Sequence, residues 1–313
     1  MEKNILISVK EVSRYYGDNC AVDNISFSVH RGEVLGFLGP NGAGKTTTMQ
    51  MISGVLAANS GEISIAGFDI IEQAKQAKSH VGFLPEQPPL YGDLSVNEYL
   101  LYAARLRGII RSGLHDAVDK SKQRCGLENM GKRLIKNLSK GYQQRIGIAQ
   151  AVIHSPDVVI LDEPTTGLDP NQILEIRALI NELGNDHSVI LSTHILPEVQ
   201  TVCDRVLIIN EGKLVLDQSL ESLQHNIKKL SVIVAFKKPP SLETILKIDG
   251  FEIVDQIDDQ RFHISCDYDS EALDKLVQQS SSSCWGLFEM VPEKDSLEEI
   301  FVKLTSGDIN KKY

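Results

Sequence analysis

Between positions 39 and 46 the chain reads Gly39-Pro40-Asn41-Gly42-Ala43-Gly44-Lys45-Thr46, which satisfies G-x-x-x-x-G-K-[ST] at every fixed position. The chemistry of this spacing is phosphate binding. Glycines let a backbone curl until successive N–H groups point into one anion nest. A helix starting at the end of the loop adds the positive end of its dipole. Lys45 is placed to reach the β- and γ-phosphates of a nucleotide, and the Thr46 hydroxyl to bind Mg²⁺. A second constellation is Val158-Val159-Ile160-Leu161-Asp162-Glu163, an apolar strand ending in two carboxylates. Open α/β sheets bind ligands at the carboxyl ends of their strands, so this pair falls where a triphosphate would sit. Asp162 then supports Mg²⁺, directly or through water, and Glu163 orients and polarises an attacking water.

These groups need elements to hold them. Val34 to Leu38 has the apolar run of a buried strand, and a helix is expected from about Lys45. Strands are also expected at 5–9, 25–29, 61–65, 81–84, 158–161, 189–192 and 206–209, and helices at 95–107, 113–125, 141–153 and 171–183. Apolar strands separated by helices imply a mostly parallel sheet covered on both faces. The polar helical block at about 95–155 interrupts the strand series and is expected to form a subdomain of its own. After about residue 220 the character changes. Strands at 231–236, 251–256, 261–266 and 285–291 alternate with helices at 241–248 and 270–281, and a closing helix is expected at 296–304. The order β-α-β-β-α-β is shared with ferredoxin-like folds. Ser280 to Ser283 reads as a loop. The expected organisation is a nucleotide-binding domain over 1–220 and a small α+β domain over 225–313.

Composition excludes several classes. The 313 residues carry 32 Lys plus Arg against 42 Asp plus Glu, a net charge of −10, which disfavours a nucleic-acid coat or a polybasic membrane binder. From 225 onward 11 basic residues face 16 acidic ones, so the tail is no basic arm either. No stretch approaches the roughly 18–20 apolar residues of a spanning helix. The first ten residues show no basic segment leading into a long apolar core, so no secretory signal is expected. Five scattered cysteines (20, 125, 203, 266 and 284) form no CxxC pair and suit reduced thiols.

Further motifs carry a family resemblance over about residues 5–218. Leu138-Ser139-Lys140-Gly141-Tyr142-Gln143-Gln144-Arg145 resembles the signature motif of the ATP-binding-cassette (ABC) transporter ATPases. Asp162-Glu163-Pro164-Thr165-Thr166-Gly167-Leu168-Asp169 resembles that family's carboxylate strand running into its D-loop, and Ser192-Thr193-His194 its switch histidine. Tyr16 stands where the family places an aromatic against adenine, whereas Tyr15 reads as a core tyrosine. The resemblance implies a P-loop ATPase of mixed sheet with a helical signature subdomain, using ATP and Mg²⁺. Residues 39–47, Thr47 included, would wrap the phosphates. Ser139 and Gly141 would contact the γ-phosphate held by a second copy of the chain, Asp169 would sit at the seam between copies, and His194 would hydrogen-bond the γ-phosphate. The family's metal-sensing glutamine aligns with Glu86; Gln87 would take that position if the loop shifted by one residue. Lys140 and Tyr142 depart from the commonest signature. Leu84-Pro85-Glu86 followed by Pro89-Leu90-Tyr91 resembles the ABC-2-type exporter ATPases. That likeness implies integral membrane permease subunits as partners, a peripheral place on the cytoplasmic face of the membrane, an accessory or regulatory role for 225–313, and no nucleic acid. The alternatives are an ABC ATPase acting on ribosomes or DNA, or a non-catalytic ATP-dependent subunit.

Overall fold

A computed structural model of the chain describes residues 5–227, 229–267, 271–293 and 301. Two compact units divide the chain, Met1–Leu220 and Glu221–Tyr313. The first contains β1 (Ile5–Tyr16), β2 (Asn19–His30), β3 (Val34–Leu38), α1 (Lys45–Ile52), β4 (Ser60–Ile65), β5 (Phe68–Asp69), α2 (Ala74–Ser79), β6 (Val81–Leu84), α3 (Val96–Leu106), α4 (Leu114–Arg124), α5 (Lys140–Val152), β7 (Val158–Asp162), α6 (Pro170–Gly184), β8 (Ser188–Thr193), α7 (Leu196–Val202), β9 (Arg205–Asn210) and β10 (Lys213–Ser219). A helix α8 (Leu220–Ile227) begins at the division.

The strands form two sheets. A six-stranded sheet runs β10-β9-β3-β8-β7-β6, parallel throughout except for its edge strand β10. Every residue of β3, β7 and β8 is buried, because successive side chains point to opposite faces and both faces are covered. On one face Val159, Leu161, Val189 and Leu191 pack with Leu100 and Ala104 of α3 and Ile146 and Ala149 of α5. On the other, Leu35, Phe37, Val158, Ile160 and Ile190 pack with Met49 and Ile52 of α1 and with Val9, Ile25 and Phe27. Burying each such large apolar side chain stabilises the fold by about 1.5–3 kcal/mol.

Val9, Ile25 and Phe27 belong to a separate antiparallel sheet, β2-β1-β4-β5. The strands expected at 5–9, 25–29 and 61–65 therefore lie outside the parallel sheet. The first two are also longer than their alternation suggests. Glu11 and Asn24 take positive φ values of 51° and 47°, and the β1–β2 register shifts between Val9 and Val12. Such bulges break the period of two from which strands are recognised. The unexpected β10 pairs with β9 through a turn at Glu211 and Gly212, with φ 48° and 79°. Two successive positive φ values match the twist of a tight hairpin.

In the helical block, α3 starts at a capping box. Ser95 Oγ accepts from Glu98 N, and Ser95 N donates to Glu98 Oε2. The block meets the sheet at Gly82 of β6, where a Cβ would lie 2.2 Å from the Ala151 carbonyl oxygen of α5.

The second unit contains β11 (Lys229–Phe236), α9 (Leu242–Leu246), β12 (Phe251–Gln256), β13 (Arg261–Asp267), α10 (Ala272–Ser282) and β14 (Leu287–Glu293). Its sheet is antiparallel in the order β12-β13-β11-β14, so the β-α-β-β-α-β reading matches. Phe236 packs edge-on against Phe262 and Trp285 at centroid distances of 5.9 and 5.8 Å, over Ile245 and Leu276. The loop expected at Ser280 to Ser283 is instead the end of α10. Ser280 is buried there, and its hydroxyl accepts from Leu287 N. The helix expected over 296–304 lies outside the described residues, Phe301 apart.

Gly82→Ala should lower the free energy of unfolding by about 1–3 kcal/mol, since backbone rather than a mobile side chain opposes the added methyl. Denaturant unfolding of the variant beside the wild type measures this.

Candidate functional site

The register of three adjacent parallel strands brings the loops together. Leu38 lies opposite Thr193, and Asp162 opposite Ser192, so β3, β7 and β8 end level at one edge of the sheet. Gly39 opens the first loop by donating its N–H to the Thr193 carbonyl at 3.4 Å. A Cβ at Gly39 would stand 2.4 Å from the Ile209 carbonyl oxygen. At Gly44, with φ +107°, it would stand 2.5 Å from that of Ala21. Both positions admit glycine alone. No side chain caps α1, and Gly44, Lys45, Thr46 and Thr47 at its start line a cleft of about 320 Å³ together with Ala21, Asn41, Gly42, Glu86, Glu163, Thr166 and His194. Pro40 and Ala43 form the back of the loop. The Pro40 carbonyl accepts from Lys45 Nζ at 3.2 Å, and the Ala43 carbonyl from Gly212 N at 3.0 Å.

Lys45 is 5% exposed. Its ammonium donates to the Gly39 carbonyl at 2.9 Å and stands 3.4 Å from Glu163 Oε1. Glu163 occupies the left-handed region at φ 50°, a conformation that costs a non-glycine residue on the order of 1–3 kcal/mol. Its backbone N–H donates to the Ser192 carbonyl at 2.9 Å, and its carbonyl accepts from Thr166 N. This turn lifts the carboxylate into the cleft, where Oε2 lies 2.8 Å from His194 Nδ1 and accepts from the Thr166 hydroxyl at 3.3 Å. With its proton on Nδ1, His194 is the donor of that bond.

Asp162, one residue earlier, is fully buried. Its Oδ1 accepts from Ser192 Oγ at 2.7 Å, whereas the buried Oδ2 has no hydrogen-bond partner. Burial pushes the Asp162 carboxyl above the ordinary carboxylate range, and Glu163 and Glu86 add to the rise. The Ser192 and Thr46 hydroxyls oppose it without cancelling it. An unpartnered, desolvated oxygen beside a threonine hydroxyl suits a hard divalent cation. Among the described residues no three His, Cys, Asp or Glu side chains converge on one point. A cation held mostly by phosphate oxygens, with one carboxylate and a hydroxyl, fits that arrangement, and this is how Mg²⁺ is usually bound. The site thus fits a magnesium-bound triphosphate.

Tyr16, Ser139, Gly141 and Asp169 stand apart from the cleft. Tyr16 lies at the tip of the β1–β2 hairpin opposite Asn19, half-exposed, with the Arg14 guanidinium 4.9 Å from its ring centroid. Tyr15 is 43% exposed and is no core residue; shifts in register on both sides of Arg14 turn it outward. Ser139 caps α5, and Asp169 caps α6 by accepting from Gln172 N at 3.0 Å. The two caps adjoin, because a Cβ on Gly141 would lie 2.7 Å from the Gln172 side chain. Glu86 lines the cleft and Gln87 does not. Two cleft residues escaped the sequence reading. Thr166 could have been found from its hydroxyl three residues past Glu163, but nothing in the sequence ties Ala21 to the phosphate loop.

Known proteins resemble this chain over most of its length. The family model described as ABC transporter matches residues 22–166. The bacitracin transport ATP-binding protein BcrA of Bacillus licheniformis is 34% identical over 308 residues, covering 96% of this chain and 98% of the relative. The linearmycin resistance ATP-binding protein LnrL of Bacillus subtilis is 29% identical, with the same shares covered. A solved structure described as the ATP-binding subunit of an ABC transporter superposes with a TM-score of 0.64 at 30% identity, over 71% of this chain and 92% of that one.

The raised Asp162 carboxyl has a consequence for stability. A carboxyl whose folded value exceeds its unfolded one binds its proton more tightly when folded, so stability falls as pH rises through the interval between the two. Asp162→Asn lacks this titration. The nucleotide-free variant should gain stability relative to wild type as pH rises from below the ordinary value of 3.8 toward neutral. Parallel denaturation curves across that range test the sign.

Proposed function

The chain belongs to the ABC transporter family as an ATP-binding subunit, and on that premise we propose that it hydrolyses MgATP in a nucleotide-sandwich dimer that powers export through separately encoded membrane subunits. The observation carrying the hydrolytic reading is the row Lys45, Glu163, His194, with contacts of 3.4 and 2.8 Å, at one edge of the sheet. Lys45 would exchange its carbonyl partners for β- and γ-phosphate oxygens. Glu163 would orient a water and draw its proton, and His194 would hold the γ-phosphate side of the cleft. Thr46 and Asp162 would hold Mg²⁺, with Glu86 facing the same point; bound there, the cation neutralises charge on the phosphates. Closure around the nucleotide would exclude water from the cleft.

A dimer is supported by where Ser139, Gly141 and Asp169 lie. They sit together at two helix starts, outside the cleft of their own chain, as donors serving a second copy's nucleotide would. Tyr16, on the hairpin beside the phosphate loop, would carry the adenine ring on its face. Among the described residues no helix is long and apolar enough to cross a membrane. We place the membrane partner between the sheet and the helical block. There a cleft of about 400 Å³ is lined by Phe83, Pro85, Pro89 and Arg107, and Tyr91 and Tyr102 expose their rings. The export direction and the ABC-2-type assignment draw support from relatives named for bacitracin transport and linearmycin resistance, since resistance fits removal of a compound. Both span the second unit as well, which supports an accessory role for 225–313 alongside the cassette of 1–220. The chain would then lie peripherally on the cytoplasmic face of the membrane, attached through its permease.

Glu163→Gln keeps the size of the side chain and removes its negative charge. Nucleotide should still bind, an ATP-bound dimer should accumulate in size-exclusion chromatography, and turnover should fall at least about tenfold, or about 1.4 kcal/mol in barrier. Near-normal hydrolysis would remove Glu163 from the mechanism. Lys45→Ala should instead weaken nucleotide binding itself, and an unchanged affinity in direct titration would refute its phosphate contact.

A further inference from the structure

A buried carboxyl outside the nucleotide cleft connects the two loops that the hydrolytic reading depends on. Glu198, near the start of α7, is 1% exposed. Its Oε1 accepts from Thr165 Oγ1 at 2.5 Å, and its Oε2 accepts from Thr193 Oγ1 at 2.8 Å. Both threonines are themselves buried. Thr165 lies two residues after Glu163, and Thr193 immediately precedes His194. One side chain thus joins the turn that carries Glu163 to the strand end that carries His194.

The connection extends further. Thr193 Oγ1, while donating to Glu198, accepts from Ile195 N at 3.1 Å, which fixes the backbone on the far side of His194. The Thr193 carbonyl accepts from Gly39 N at the start of the phosphate loop. The Arg177 guanidinium of α6, whose first turn is capped by Asp169, stands 4.0 Å from Glu198 Oε1. Glu163 is held in a backbone conformation it would not choose, so its carboxylate depends on what braces the turn. Within the chain, hydrogen bonds inside such a network act as a unit more than as independent pairs.

From this geometry we propose that Glu198 is a positioning residue: through Thr165 and Thr193 it sets the spacing of Glu163 and His194, while touching neither nucleotide nor water. The proposal rests on the ATPase reading above and adds to it a residue that no cleft contact identifies. Gln at this position keeps the volume but offers one accepting oxygen for two threonine hydroxyls. The loops should therefore stay packed while the pair loses its register. The expected loss is in the chemical step and not in nucleotide binding.

The test is steady-state MgATP hydrolysis by the full-length chain, with the melting temperature of each variant alongside. Glu198→Gln should lower kcat about tenfold with KM within about twofold. Thr165→Val should lower kcat in the same manner, and Thr165→Ser, which restores the hydroxyl, should recover it. In a His194→Ala background Glu198→Gln should cost less than about threefold more, because the pair it positions is already broken. If Glu198→Gln melts too early to assay, the Thr165→Val and Thr165→Ser pair decides. Equal losses in both backgrounds, a rise in KM that accounts for the loss, or kcat within twofold of wild type would overturn the proposal while leaving the ATPase reading intact. A well-folded wild type with no MgATP turnover would instead overturn the ATPase reading, and this proposal with it.

Discussion

Parallel pairing of β3, β8 and β7 is the constraint on which the rest of the molecule depends. Parallel strands cannot be joined by short hairpins, so each must be followed by a crossover, and every crossover leaves from the same edge of the sheet. The register sets Leu38 level with Thr193 and Asp162 level with Ser192. A phosphate loop, a pair of carboxylates and a histidine, scattered over more than 150 residues of chain, thereby become neighbours. The price is a sheet whose strands are buried on both faces, and the apolar runs at 34–38, 158–161 and 189–191 meet it.

Against that rigid edge, the polar groups are held in states that folding alone would not favour. Asp162 is a desolvated carboxyl with one oxygen unpartnered. Glu163 sits at positive φ. The Lys45 ammonium is turned back onto the carbonyls of its own loop. Each is a local cost, offset by the apolar layers on either side of the sheet and directed at a place where a polyanion and its cation would supply the missing partners. The same logic explains a buried Glu198, which is tolerable because both of its oxygens receive a hydroxyl.

The elements of the parallel sheet were legible because their residues are apolar at nearly every position, which few other structures require. The helix starting at Lys45 was legible from the glycine loop before it. The antiparallel sheet was read less well. Bulges at Glu11 and Asn24 interrupt the alternation of β1 and β2, so the sequence suggests two short strands where two long ones exist. Tyr15, which reads as a core tyrosine, points outward where the register shifts on both sides of Arg14. The hairpin to β10 turns on Glu211 and Gly212, a weaker turn signal than Asn-Gly.

Local sequence alone determined the chemistry on offer: a glycine loop that can take a phosphate, a lysine, two adjacent carboxylates and a histidine after a buried strand. These are properties of residue types at short spacing, and short spacing is what a sequence displays. Tertiary structure decided which of them meet. It set Lys45 and His194 on either side of Glu163, brought Glu86 rather than Gln87 to the cleft, and added Ala21 from strand β2 of the antiparallel sheet. It kept Ser139, Gly141 and Asp169 out of their own chain's cleft. It also put Glu198 beneath two loops, where no spacing rule would look. Contacts of this kind depend on strand register and helix packing, which are set by the summed burial of residues far from the site.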